Sequence, residues 1–169
     1  MHTRLDPYQS ALFFLARAAV ASRRPFACVI AAVVLTTADA QVGGCSVTTA
    51  PLSFGSYDVS AVSPLVTSGK IEVRCVAPTT LTLGIDGASN VAGIGGGRML
   101  RHLTASDMLN YNVYQDAALS VAWGNAMTSA GRTLNVSTTQ TVFAYGALPA
   151  GQDVRYGEYR DTLSIVVMP

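Results

Sequence analysis

Charge is scarce in this chain: Asp, Glu, Lys and Arg make up 12% of its 169 residues, and the formal net charge is +1. Beyond residue 40, seven Lys and Arg stand against eight Asp and Glu, which leaves no basic footprint for nucleic acid or anionic lipid. Histidine is scarcer still, since only His102 lies past residue 40. A Ser-His-Asp reading would need a Gly-x-Ser-x-Gly elbow, which occurs nowhere, so His102 reads as a surface-loop residue. Cysteine is limited to Cys28, Cys45 and Cys75. With no second pair of cysteines and one histidine, no metal site is expected. No apolar run reaches the roughly 20 residues that span a bilayer.

What the N-terminal region does contain is a leader pattern. Arg23-Arg24 precede an apolar run from Phe26 to Leu35, and Ala38-Asp39-Ala40 supplies a small-x-small cleavage site. Residues 1–40 are therefore expected to be a cleaved signal peptide, with the mature chain, residues 41–169, starting at Gln41. An earlier apolar run, Ala11 to Ala21, is broken by Arg17 and fits a start codon placed too far upstream. Ser22-Arg23-Arg24-Pro25-Phe26 also resembles a twin-arginine signal. Cleavage removes Cys28, and the even pair left in an exported chain, Cys45 and Cys75, reads as a disulfide.

The mature part alternates. Lys70-Ile71-Glu72-Val73-Arg74-Cys75 places Ile71, Val73 and Cys75 on one face, the pattern of a half-buried strand. Thr80–Ile85, Leu109–Gln115 and Gln140–Gly146 behave likewise, and Cys45–Phe54 gives a strand interrupted at Pro51. Shorter strands are placed around 98–103 and 133–136. Pro51 implies an edge position or a switch between sheets. Residues 88–97 are Gly-rich and read as a loop. The last strand, Gly157–Pro169, points Leu163, Ile165 and Val167 inward, and no later segment covers its edge, which invites a partner strand. Short strands, Gly and Pro turns and no helical pattern indicate an all-β sandwich.

Other chemical signals are weak. Gly93-Ile94-Gly95-Gly96-Gly97-Arg98 lacks the last glycine of a dinucleotide fingerprint, and Ser68-Gly69-Lys70-Ile71 lacks the hydroxyl of a Walker loop. The acids are scattered, with most placed on polar strand faces or turns. Trp123 and the tyrosines could make a sugar platform, although Tyr111 lies on an apolar face. No catalytic residue and no cofactor is assigned, and the chain does not read as an enzyme.

Several segments in order are similar to the spore coat protein U domain family, which includes pilins of archaic, Csu-type chaperone–usher systems. They are Cys45 with Pro51–Asp58, Gly69–Cys75, Arg98-Met99-Leu100, Leu109–Asp116, Val121–Gly124, Tyr145–Gln152 and Gly157–Thr162. The resemblance implies an incomplete immunoglobulin-like sandwich that lacks its last strand and is completed by a donor strand. The donor comes first from a periplasmic chaperone, then at the outer-membrane usher from a neighbouring pilus subunit. Leu163, Ile165 and Val167 match the groove strand, with Leu52 and Phe54 as the opposite wall.

One departure from the family pattern bears on function. Only Gln41-Val42-Gly43-Gly44 separates the expected cleavage site from Cys45, too little for a donor extension. The expectation is a surface-pilus subunit that accepts a strand, suited to a tip position and to adhesion or biofilm formation. The alternative is a spore or cell-surface coat protein that does not polymerise.

Overall fold

The computed structural model describes residues 28–36, 44–86 and 97–169. The expected cleavage site and nearly all of the Gly-rich segment 88–97 lie outside these residues. The described residues form ten strands and no helix: β1 (Cys28–Thr36), β2 (Cys45–Thr49), β3 (Leu52–Asp58), β4 (Leu65–Cys75), β5 (Thr79–Asp86), β6 (Arg98–His102), β7 (Met108–Tyr114), β8 (Arg132–Val136), β9 (Thr139–Leu148) and β10 (Gly157–Met168).

The strands make two layers. β2, β4, β9 and β7 follow one another in the first, and β6, β10, β1 and β3 in the second, where β5 carries β8 outward. β7 joins the layers, because Leu109 and Tyr111 pair with β6 while Asn112–Tyr114 pair with β9. Pro51 separates β2 from β3, which lie in different layers, as a proline that cannot donate to a ladder allows. Cys45 stands directly opposite Cys75 in the β2–β4 ladder, and the two are joined by a disulfide.

Alternation builds the core. On β4, Ile71 and Val73 are buried while Lys70 and Arg74 stay in water, each within salt-bridge distance of Glu72. Such exposed pairs contribute little. β10 buries every second residue from Tyr159 to Val167, and each buried Leu, Ile or Val contributes about 1.5–3 kcal/mol.

Three expectations from the sequence need correcting. His102 is not a surface-loop residue: it ends β6, is buried, and packs edge-on against Tyr159 at 4.9 Å. Its Nδ1 accepts the Thr104 backbone N–H at 3.0 Å, and Nε2 lies 3.1 Å from the Tyr156 carbonyl. Trp123 is no sugar platform, being 1% exposed with Nε1 donating to the Leu83 carbonyl. Asp161 lies in the core rather than on a polar face. Cys28–Thr36, within the expected leader, forms β1, which lies along the edge of β10 that the mature chain is expected to leave open.

Candidate functional site

The last strand is built to be flanked on both sides. Its first half pairs with β6 through Tyr159 and Arg160, and its second half with β5, Ile165 lying opposite Ile85 and Val167 opposite Leu83. Along Gly157–Ser164 the other edge faces β3 across a gap one strand wide, and β1 fills that gap. β1 runs parallel to β10, from Val29 opposite Gly157 to Thr36 opposite Ser164. It runs antiparallel to β3, from Cys28 opposite Asp58 to Val33 opposite Leu52.

Two features single this place out. The β1–β10 ladder is the one parallel pairing among the described residues, where every other ladder is antiparallel. β1 is also the only ladder partner of β3 among them. Among the described residues, β1 is thus the strand that bridges β3 to the edge of Gly157–Ser164 opposite β6 and β5.

The floor and walls of the slot are apolar. Leu52, Phe54, Leu163, Ile165 and Val167 are all buried. Leu52 and Leu163 border β1 from either side, in register with Val33 and Leu35. Val33 itself is fully buried in the same core. Ile165 and Val167 continue the same buried face of β10 past Ser164, the last residue paired with the described β1, and pair with β5 through Ile85 and Leu83. The wall strand carries a bulge: the register passes from Gly55 opposite Ala31 to Ser53 opposite Ala32, leaving Phe54 as the extra residue. Gly55 has φ 72°, a left-handed conformation that glycine adopts without steric cost. The bulge turns Phe54 inward, edge-on to Tyr111 at 6.0 Å. Gly146 on β9 makes room for this wall. A Cβ there would sit 2.6 Å from Leu52 Cδ2 and 2.7 Å from Phe54 Cζ.

Polar anchors hold the two walls in position. The Tyr57 hydroxyl donates to the Pro149 carbonyl and accepts the Gln152 backbone N–H, both at 2.9 Å. This ties β3 to the connection that leads into β10. The Gln152 side chain in turn accepts the Asn110 N–H at 2.7 Å and donates to the Asn110 and Pro149 carbonyls. Below β10, the Tyr111 hydroxyl donates to Asp161 Oδ2 at 2.6 Å in a buried setting. Burial first, and then this hydrogen bond, push the Tyr111 pKa well above the ordinary tyrosine value. Arg98 Nη2 donates to the Ile85 and Trp123 carbonyls, and burial lowers the guanidinium pKa against the opposing influence of Tyr111, Asp161 and Asp86. Among the described residues no group of His, Cys, Asp and Glu could hold a metal ion.

The sequence pointed to the two walls and missed what joins them. Tyr57 and Gln152 lie 95 positions apart, with nothing in either segment to pair them. Asp161 did carry a signal: it shares the alternation parity of Leu163, Ile165 and Val167, which places it inward despite its charge.

The same frame occurs in known proteins. A chain in the crystal structure of the CsuC–CsuE chaperone–tip adhesion subunit pre-assembly complex, from the archaic chaperone–usher Csu pili of Acinetobacter baumannii, is similar with a TM-score of 0.52 at 18% identity. The match covers 74% of this chain and spans 39% of that one. It gives the described strands an immunoglobulin-like fold. In sequence, Protein U of Myxococcus xanthus is 33% identical over 139 residues, covering 73% of this chain and 77% of that protein. The Spore Coat Protein U domain model matches residues 30–166, from within β1 almost to the end of β10. An alignment that takes in both walls of the slot and most of the strand between them leaves one conclusion: the chain belongs to the spore coat protein U domain family.

Proposed function

We propose that this protein is a structural or adhesive subunit of a surface pilus assembled by the chaperone–usher route, and that it works by taking up a partner's strand between β3 and β10. The observation that carries this reading is the slot itself, whose two walls meet only through an apolar strand from outside residues 44–169. Backbone hydrogen bonds along such a slot supply affinity, and alternate side chains fitting its floor supply selectivity. Family membership and the fold shared with a chaperone–subunit complex support the same reading.

The exported chain, cut before Gln41, meets a periplasmic chaperone first and then, at an outer-membrane usher, a neighbouring subunit. Its short segment 41–44 suits the fibre tip, and there adhesion and biofilm formation are its roles. The protein is not an enzyme in this reading and needs no cofactor. Co-expression tests it. The exported chain should accumulate as a one-to-one complex when co-expressed with a periplasmic chaperone of the chaperone–usher class, and immunogold labelling should place it on surface fibres. Equal yield without the chaperone, with no fibres, argues against the pilus.

The similarity to Protein U and the family's name favour one other reading, a coat protein that does not polymerise. In that case the label lies evenly over the spore or cell surface.

A further inference from the structure

We propose that Cys28–Thr36 closes the acceptor groove in cis, so that the chain shuts out partner strands while this run is attached and becomes strand-accepting when the run is removed. The inference rests on the strand-accepting reading above and assigns a second role to the apolar run of the leader. That run lies along Gly157–Ser164 on one side and Leu52–Asp58 on the other, the two edges a partner strand would need. Val33 is fully buried within the core cluster, so at this position the run packs into the interior and does not merely lie over it.

The connection makes the closure strong. Residues 37–44 alone separate the end of β1 from the start of β2. A short tether holds a segment at an effective concentration of about 1 mM. A free strand with a Kd of about 1 μM would then bind the intact chain roughly 1,000-fold more weakly than an open groove. The closure is also reversible in principle, because a parallel ladder is slightly less stable per residue than an antiparallel one. A cut before Gln41 falls inside the connecting segment and abolishes the tether. Leader removal thereby opens the groove as it releases the subunit, and a precursor cannot pair with a partner prematurely.

The register supplies a test that uses a native cysteine. Cys28 stands opposite Asp58, and antiparallel partners have Cα atoms about 4.5–5.5 Å apart, within the range a disulfide bridges. The full, unprocessed chain carrying Asp58→Cys, made by cell-free synthesis and oxidised at high dilution, should form an intramolecular bridge between positions 28 and 58. Peptide mapping by mass reads the bridge, and Cys28→Ser removes it. Bridging only between chains, or none at all, overturns closure in cis.

A second arm measures exclusion. The probe is a fluorescent synthetic peptide of residues 28–36 with solubilising lysines. It should bind the unprocessed wild-type chain at least 100-fold more weakly than the unprocessed Val33→Asp chain, whose own strand is expelled by a buried charge. Equal binding to both overturns the self-closure and leaves strand acceptance standing. A folded Val33→Asp chain that binds no peptide overturns strand acceptance, and this inference with it. If Val33→Asp does not fold, the bridge from position 28 to 58 decides alone.

Discussion

Replacing Tyr57 by Phe removes one oxygen and leaves the ring packed, so its effect can be worked from the contacts. The hydroxyl makes two hydrogen bonds, one to the Pro149 carbonyl and one from the Gln152 N–H. The carbonyl keeps a second donor, Gln152 Nε2 at 3.1 Å, so its loss is small. The Gln152 N–H is only half-buried and can turn to water. Net values of about 0.5–1.5 kcal/mol per bond then sum to about 1–3 kcal/mol. Urea unfolding should show this as a lower midpoint with an unchanged slope. Tyr57 also ties the β3 wall to the connection into β10, so affinity for an apolar strand should fall in the same variant. An unchanged midpoint would refute the anchoring role. A loss of 4 kcal/mol or more would also count against it, since that size signals a repacked core rather than two lost hydrogen bonds.

Three further perturbations follow from the same structure. Cys45→Ser opens a bridge of sequence separation 30 and should cost on the order of 3–4 kcal/mol in the chain-entropy account, measured by denaturant titration against the oxidised wild type. Tyr111→Phe removes the hydroxyl that donates to Asp161 Oδ2, while Oδ1 keeps the Thr162 N–H, and should cost about 1.5–3 kcal/mol, also read by denaturant titration. The Tyr111 pKa is raised in the folded state, so its contribution is complete below the unfolded value of about 10 and is lost as pH rises above it; the variant should lack that part of the alkaline slope. Gly146→Val drives side-chain atoms into Leu52 and Phe54 and should destabilise by about 1–3 kcal/mol, with strand binding weakened beyond the loss of stability.

Strands with one wet face were legible from the sequence because alternation records which side meets the core. Lys70–Cys75, Leu109–Gln115 and the terminal strand all show it, and Pro51 marks the crossing between layers. The β1 strand was not legible. A continuous apolar run with no alternation fits a buried strand as well as the apolar part of a leader, and the adjoining cleavage pattern favoured the leader. His102 and Asp161 were missed for a shared reason: each is a polar residue at an inward-facing position that has, besides a neighbouring backbone N–H, a partner distant in sequence, Tyr156 for one and Tyr111 for the other. Leu52, Phe54, Leu163, Ile165 and Val167, singled out from alternation and resemblance, are all buried in the core.

The central claim is that the slot between β3 and β10 accepts a strand from outside. The melting temperature of the exported, processed protein, measured with and without an apolar nine-residue peptide, tests it most directly. At a hundredfold excess over its Kd the peptide should add about 2.7 kcal/mol of stability. For a domain of this size that is a rise of roughly 10 °C, and Leu163→Asp should abolish it by placing a charge in the slot. A processed protein that melts cooperatively at high temperature, stays monomeric and ignores the peptide would contradict the claim.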